Sequence, residues 1–218
     1  MVRQAAGGGR WVDVPPERLT GWLNRFANRH GSLDTTLADD VVSVRAEDGS
    51  TARIPVPFPP LKVSGGLLTS LAAHAGVDRT IGVLLVRLGG HAAGVFHGTE
   101  LKVSKVDSRL VHGRSAAGGW SQHRFARRRD GQARAALQAA AAVAGRILLP
   151  YVPDLDALVT GGDKSAVETV LEEPQLAPLR PLVSDRFLAV PDPKRAILDQ
   201  TPEQFRALQI LVHDVTRD

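Results

Sequence analysis

The sequence contains no cysteine among its 218 residues. This absence excludes disulfide bonds, a thiolate nucleophile and a zinc site built on cysteine ligands. Disulfides belong to oxidising compartments and are rare in the cytosol, so their absence favours a reducing environment. We therefore expect a cytoplasmic protein that is held together by its packed core.

Aromatic residues and long apolar runs are also scarce. Only 5% of the residues are aromatic, so Leu, Val and Ala must fill most of a core that draws on 43% apolar residues. No apolar run approaches the roughly 20 residues that a membrane span needs. The stretch 1–10 is basic and lacks the apolar core of a signal peptide. We predict a flexible tail at 1–10 and no membrane partner.

Recognisable metal, cofactor and hydrolase motifs are missing as well. The seven histidines show no close ligand spacing, and no acidic cluster accompanies a pair of them. Ser115 and Ser121 do not stand in Gly-x-Ser-x-Gly, so a nucleophile elbow is not predicted. The segment 161–165 lacks phosphate-loop spacing, and a turn followed by a helix cap is the better interpretation. We expect neither a metal nor a cofactor.

What the sequence does have is one dense basic segment, 109–134. It holds seven arginines and one acid, Asp130, a net charge of 7 − 1 = +6. The rest of the chain carries 27 − 7 = 20 bases and 23 − 1 = 22 acids, a net charge of −2. Many charged runs are only solvated surface. However, a basic excess confined to one segment at a predicted helix start, where the helix dipole disfavours cations, favours a phosphate-rich partner.

Hydrophobic periodicity predicts an α/β (α+β) fold in which helices flank a mixed sheet. The pattern divides the chain into the tail (1–10), a small N-terminal helix/β-hairpin extension (11–78) and a second domain (79–218). The extension should contain a helix that Pro15 and Pro16 open and Gly31 ends, a hairpin over 40–56 and a short helix over 67–75.

The second domain should begin with a three-stranded meander over 80–107, followed by a long helix over 132–148 with Asp130 as its N-cap. Ala136, Leu137, Ala140, Ala144 and Leu148 lie on one face of that helix and should pack on the sheet. The later elements are a strand, a helix with a Ser165/Glu168 capping box, a second strand and a C-terminal helix, predicted at 155–160, 165–171, 186–190 and from Thr201 onward.

Gln122 ends a loop, 113–122, that is rich in small residues. Small side chains offer few packing contacts, so we expect this loop to project and to move. An amide has no titratable proton, so Gln122 cannot be a general base, but it can donate and accept hydrogen bonds at once and so orient a water or a hydroxyl. Taken alone, a loop glutamine is more simply a solvent-facing side chain.

Residues 80–172 resemble the catalytic Gly-Gly-Gln domain of eukaryotic and archaeal peptide-chain release factors. The motifs occur in that family's order: His112-Gly113-Arg114, Gly118-Gly119 with Ser121, Arg124-Phe125-Ala126-Arg127-Arg128-Arg129, and Gly161-Gly162 with Lys164. Trp120 stands where that family has its glutamine, and Gln122 follows Ser121. This arrangement resembles the Vms-like release factors of ribosome quality control, and a composition rich in Ala, Arg and Gly suits their bacterial, actinobacterial branch.

The resemblance implies cleavage of peptidyl-tRNA on the large ribosomal subunit, which frees a stalled nascent chain. It gives Gln122 the catalytic role, with Ser121, Gly118 and Gly119 shaping the loop. The residues expected to contact RNA are His112, Arg114, His123, Arg124, Arg127, Arg128 and Arg129.

The implied partners are the large subunit, peptidyl-tRNA and ribosomal RNA. Two alternatives stay open: a non-catalytic RNA- or ribosome-binding module, and a peptidyl-tRNA hydrolase that acts off the ribosome. The choice between the peptidyl ester and a phosphodiester near the tRNA 3′ end also stays open.

Overall fold

The structure, a computed structural model, describes residues 2–87, 90–108 and 121–215, without the side chains of residues 2, 108 and 121–130. Its helices and strands in chain order are β1 (Val2–Gln4), β2 (Arg10–Val14), α1 (Leu19–His30), β3 (Leu33–Ala38), β4 (Val41–Ala46), β5 (Thr51–Pro55), α2 (Leu67–Gly76), β6 (Thr80–Arg87), β7 (Gly90–His97), β8 (Glu100–Ser108), α3 (Ser121–Leu148), β9 (Ala157–Gly162), α4 (Lys164–Leu171), β10 (Val183–Leu188), α5 (Arg195–Asp199), α6 (Thr201–Phe205) and β11 (Leu208–His213).

The chain forms two compact units. The first unit comprises Met1–Val77 together with Arg206–Asp218, and the second comprises Asp78–Phe205. This division differs from the expected one at the C-terminus, because 206–218 leave the second domain and complete the first unit.

The first unit is a six-stranded antiparallel sheet in the order β1-β2-β11-β5-β4-β3. Alternate residues of its strands point to one face, so Val44, Ile54 and Ile210 are buried there. The same core takes in Leu23 of α1 and Leu71 of α2. The expected helices and the hairpin of the extension are confirmed, and they are parts of this larger sheet.

Two expectations at the ends of the chain are wrong. The stretch 1–10 is not a flexible tail, because β1 pairs with β2 through an Arg3–Trp11 register. The segment after Thr201 is helical only as far as Phe205 and then forms β11. Residues 208, 210 and 212 are buried while 209, 211 and 213 are partly exposed, which is the period of a strand and not that of a helix.

The second unit contains a five-stranded mixed sheet in the order β10-β9-β6-β7-β8. The strands β6, β7 and β8 form the expected antiparallel meander. The strand β9 runs parallel to β6, and β10 runs parallel to β9. The predicted fold class, a mixed sheet flanked by helices, is confirmed.

Helices cover both faces of this sheet. On one face α3 and α4 bury Ala140, Ala144 and Val167 against Leu84 and neighbouring strand residues. On the other face Phe205 of α6 packs edge-to-face on Phe96 of β7, with ring centroids 5.8 Å apart. The sheet therefore forms the middle layer of the second unit.

The expected packing of α3 through its alanines and leucines is confirmed. Ala140, Ala144 and Leu148 are buried, and Leu137 packs partly buried against the same core. The helix approaches the sheet closely at Gly82, where an added Cβ would lie 3.4 Å from Leu148. Small residues on both sides thus allow the helix and the sheet to make close contact.

Within the described ranges, one helical stretch of 24 residues, 131–154, is long and apolar enough to cross a membrane by length and composition. This differs from the expectation that no apolar run reaches that size, because alanines contribute much of the apolar character. The buried residues of this stretch include Ala140, Ala144 and Leu148, which lie in the core of the second unit. Length and composition alone do not distinguish a spanning helix from one that packs on a sheet.

Candidate functional site

The carboxyl ends of four strands meet at one edge of the five-stranded sheet. The parallel pairing of β6, β9 and β10 places their last residues together, with Val86 opposite Gly162. Because β7 runs antiparallel between β6 and β8, Ser108 at the end of β8 lies opposite Gly90 at the same edge. In open α/β sheets, the crevice outside the carboxyl ends of the strands is where ligands bind. Ser108 is the last described residue before the segment 109–120.

The helix α3 returns the chain to the sheet at the same edge. Ala133, Ala136 and Leu137 line a small cavity together with residues of the β6–β7 end, namely Val86, Arg87, Gly90 and His91. Leu148, at the other end of the helix, lies beside Gly82 near the start of β6. The helix therefore runs from the carboxyl edge back across the sheet.

The first residues of α3 extend past this edge. The helix begins at Ser121, and Gly131 has open space where a Cβ would stand. At 1.5 Å per residue, the stretch 121–132 adds ~18 Å of helix before the cavity-lining Ala133. The packed part of α3 thus supports a projecting part that carries Gln122 and the dense arginine run.

The start of α3 corrects two expectations. Asp130 is not an N-cap, because it lies inside the helix, and Gln122 belongs to the first turn and not to a loop. Arg127, Arg128 and Arg129 are accordingly in the second and third turns. The unfavourable effect of the helix dipole on cations falls off within the first turn, so the electrostatic cost that we inferred for these arginines is smaller than expected.

The predicted site residues fall into two groups. Gly118 and Gly119, together with His112, Arg114 and Trp120, lie outside the described residues, as does most of the loop whose mobility we predicted. The others share the first three turns of α3, which the structure describes in backbone only: Ser121, Gln122, His123, Arg124, Arg127, Arg128 and Arg129. One continuous helix therefore carries the expected catalytic glutamine and five of the expected RNA contacts.

The helix α4 also begins at this edge, directly after β9. Its N-cap is Asp163, whose Oδ1 accepts hydrogen bonds from the Ala166 N–H at 3.1 Å and from the Ser165 hydroxyl at 2.8 Å. The Ser165/Glu168 capping box is therefore wrong. The hydrogen bonds from Ala166 and Ser165 lower the pKa of Asp163. Since a carboxylate already occupies this helix start, it does not offer the free anion site of a phosphate loop.

The glycines before α4 bring its start close to β6. Gly162 has φ of +102°, which side chains rarely allow, and an added Cβ would collide with the carbonyl of Val86. The N–H of Asp163 donates to that same carbonyl at 2.8 Å. Lys164, the lysine of the resemblance, is exposed beside this turn.

Two polar residues at the edge were missed in the sequence. Arg87 donates from Nη1 to the carbonyl of Val190 at 2.8 Å, and its Nε lies 3.5 Å from Asp192, so it ties β6 to the chain after β10. His91 is buried and stands opposite Asp107 in the β7–β8 ladder, next to the cavity under α3. Only their positions at strand ends could have indicated them. In the part of the chain that the structure describes, no cluster of three His, Asp or Glu side chains could hold a metal.

Solved structures show a general likeness to this chain. The archaeal translation termination factor aRF1 has a TM-score of 0.42 and 14% sequence identity, over 90% of this chain and 66% of that one. An archaeal protein has a TM-score of 0.40 and 15% identity over the same shares. The Vms1 mitochondrial localization core has a TM-score of 0.41 and 8% identity, over 91% of this chain and 84% of that one. The chain thus spans 66% of the length of the first two.

No curated protein matches the chain. The sequence model of acVLRF1, the Actinobacteria/chloroflexi VLRF1 release factor, matches residues 79–211. The match covers all of β6 through α6 and extends into β11, including the segment with Gly118, Gly119 and Gln122. This protein therefore belongs to the Actinobacteria/chloroflexi VLRF1 release factor family.

Proposed function

We propose that this protein is a peptidyl-tRNA hydrolase that frees nascent chains from stalled large ribosomal subunits in the cytoplasm. Gln122 is the catalytic residue, and Ser121, Gly118 and Gly119 shape the segment that carries it. His112, Arg114, His123, Arg124 and Arg127–Arg129 bind the RNA backbone. The partners are the large subunit, its ribosomal RNA and peptidyl-tRNA.

The observation that carries the proposal is the continuity of α3. Its alanine-rich part is fixed on the sheet, while its first turns extend past the sheet edge with Gln122 and the arginines. A rigid helix anchored at one end can hold its other end at a fixed position inside a bound partner. Such positioning is what a neutral catalytic side chain requires, because it acts by orienting reacting groups.

The chemistry assigned to Gln122 is hydrogen bonding. Its carbonyl oxygen accepts a hydrogen bond from a water or from the tRNA ribose 2′-hydroxyl, and its NH₂ group donates to oxygen atoms that gain charge in the transition state. If water attacks the peptidyl ester, the products are a peptide carboxylate and a tRNA with its 3′ end intact. If the 2′-hydroxyl attacks the adjacent phosphodiester, the products are a 2′,3′-cyclic phosphate and a 5′-hydroxyl on the released fragment.

The arginines supply binding and not chemistry. Guanidinium groups hold phosphate oxygens with charge-assisted hydrogen bonds, often two at a time. The positions 124, 127 and 128 follow the i, i+3, i+4 spacing, so they share one side of the helix. A helix side with three arginines can follow an RNA backbone while Gln122 stays near the end of the helix.

The test uses purified stalled large subunits that carry labelled peptidyl-tRNA. The wild-type protein should release the label, and separation of peptide, intact tRNA and shortened tRNA identifies which bond is cleaved. Gln122→Ala should slow release by roughly 10²–10³-fold, the scale for removing one hydrogen-bond donor to the transition state. Binding to the subunits should be nearly unchanged.

Gln132→Ala is the matched control, because Gln132 is an exposed glutamine on the same helix. It should release at the wild-type rate. If Gln122→Ala also releases at that rate, Gln122 is not the catalytic residue, and Trp120 becomes the next position to test. A wild-type protein that binds stalled subunits and releases nothing would instead favour a non-catalytic ribosome-binding module.

A further inference from the structure

We propose that the first unit carries a second RNA-binding surface, for single-stranded RNA, on the sheet face opposite α1 and α2. The surface is centred on Trp11. It goes beyond the proposed function, because Arg3, Trp11 and Arg53 precede the residues that match the family. The surface is called the open face below.

The open face follows from strand alternation. Val12 and Val14 of β2, Val42 and Val44 of β4, Ala52 and Ile54 of β5, and Leu208, Ile210 and Val212 of β11 point into the core with α1 and α2. Their neighbours along the same strands must therefore point the other way. These neighbours are Trp11, Asp13, Ser43, Arg45, Thr51, Arg53, Gln209, Leu211 and His213, and all of them are exposed or partly exposed.

One row of the open face combines an aromatic ring with two guanidinium groups. Arg3 stands opposite Trp11, Trp11 opposite Leu211, and Leu211 opposite Arg53. Adjacent strands lie about 4.8 Å apart, so this row places an arginine one strand away from Trp11 on one side and two strands away on the other. The row therefore crosses roughly 14 Å of sheet.

The two large apolar residues of this row, Trp11 and Leu211, do not belong to the core. Trp11 and Leu211 belong to none of the buried clusters, whereas their neighbours Val12 and Val212 pack in the core of the first unit. A partly exposed tryptophan on a sheet is a platform on which a base can stack, and such stacking tolerates any sequence because every base has a π-face. A base on Trp11 would also cover Leu211.

The charges on the open face suit a polyanion at this row. Arg3 is half exposed and lies 4.0 Å from Asp13, while Arg53 is exposed and has no ion pair among the described residues. Asp34 stands opposite Arg45 at the far side, so its charge is balanced locally. Two arginines on either side of an aromatic platform can hold phosphates that flank a stacked base, which favours RNA over an acidic peptide.

The first experiment measures RNA affinity with the full chain. Arg127, Arg128 and Arg129 are replaced by alanine in every protein, so that α3 contributes little. The probe is a fluorescein-labelled oligouridine of about ten nucleotides, within the site sizes of single-strand binders. At low salt, Trp11→Ala should weaken binding about tenfold, which is the scale for losing one stacked base. Arg53→Gln should weaken it by a smaller factor and lower the salt slope by about 0.7.

Matched variants separate binding from folding. Trp11→Phe keeps an aromatic platform and should retain most of the affinity. Arg25→Gln removes an exposed arginine from α1, away from the open face, and should bind like its parent. Urea unfolding of each variant shows whether a lost affinity reflects a lost fold.

A second readout reports stacking itself. In a Trp120→Phe background the remaining tryptophans are Trp11 and Trp22, and Trp22 is stacked on Phe26 with ring centroids 5.3 Å apart. Oligouridine should quench part of the tryptophan fluorescence, and Trp11→Phe should abolish that quenching.

Three results would overturn the proposal: no measurable binding to the parent protein, unchanged affinity in a folded Trp11→Ala variant, or quenching that survives Trp11→Phe. If Trp11→Ala impairs association with large subunits but leaves oligouridine binding intact, the open face contacts the subunit and is not a surface for single-stranded RNA. None of these outcomes depends on peptide release. The proposed function can therefore fail while the open face still binds RNA, and the open face can fail to bind RNA while the proposed function holds.

Discussion

Two helices meet the same edge of the five-stranded sheet, and they begin at different distances from it. The helix α4 starts directly after β9, with Asp163 closing its first turn and Gly162 holding the chain against Val86. The helix α3 starts ~18 Å beyond the edge and carries Gln122 and the arginine run before it reaches the sheet. The start of α4 is capped by its own residue Asp163, whereas the start of α3 projects beyond the sheet.

The difference indicates how a release factor can keep its fold independent of its site. Substitutions at α4, or in the packed part of α3, change contacts within the second unit and should alter stability. Substitutions in the projecting part of α3 should alter binding or release. The predictions below test whether this separation holds.

The largest effect on association with large subunits is expected for the triple substitution of Arg127, Arg128 and Arg129 by alanine. Removing three phosphate contacts should weaken association with large subunits by at least an order of magnitude. It should also flatten the plot of log affinity against log salt by about 2 to 3 units, since each contact releases counterions. Equilibrium binding at several salt concentrations measures both, and the urea midpoint should stay close to the wild-type value.

Arg146→Ala is the control for this triple substitution, because Arg146 is exposed at the packed end of the same helix. It should leave the affinity and the salt slope unchanged. An equal loss of affinity in this control, or a large loss of stability in the triple variant, would mean that the two parts of α3 are not separate in function.

An intermediate effect is expected for Ala144→Leu in the packed part of α3. Ala144 is fully buried between the helix and the sheet, so the larger side chain should destabilise the protein by about 1–3 kcal/mol through overpacking. Ala142→Leu places the same side chain at an exposed position, where leucine is nearly as good a helix former as alanine. Urea unfolding should show a lower midpoint for Ala144→Leu alone, and equal midpoints would contradict the close packing.

The sequence predicted the elements whose signals are local. The meander follows from buried apolar runs over 81–106, and the packed face of α3 follows from helically spaced residues such as Ala140 and Ala144. The resemblance to release factors rested on short motifs with fixed order, and a family match over 79–211 agrees with it.

The missed elements depend on long-range pairing or on competing local signals. Leu208, Leu211 and Val212 fit a helical spacing, but 208, 210 and 212 also fit a strand, and the partners β2 and β5 decide the outcome. The helix α3 was predicted to begin too late because Asp130 and Gly131 are typical of a helix boundary. A single glycine costs only about 1 kcal/mol inside a helix, so the surrounding alanines and arginines carry the helix through it.

The smallest effect is expected at the start of α4. Asp163→Ala removes the acceptor for the Ala166 N–H and should lower the free energy of unfolding by about 1 kcal/mol near neutral pH. Peptide release should not change, because Asp163 caps α4 and is not part of the projecting helix that carries Gln122. Asp163→Asn keeps a good capping side chain and should be close to wild type in stability.

The stability difference between wild type and Asp163→Ala should depend on pH, and the pKa of Asp163 gives the direction of that dependence. The hydrogen bonds from Ala166 and Ser165 hold the pKa of folded Asp163 below its ordinary value of 3.8. The charged form is therefore favoured by folding, and its contribution is complete above pH 3.8 and lost as the pH falls through the folded pKa. The stability difference between wild type and Asp163→Ala should accordingly shrink in acid, as measured by urea unfolding at several pH values. A difference that is constant with pH would mean that the charge of Asp163 does not strengthen its cap on α4, and the contrast between the two helix starts would lose its electrostatic basis.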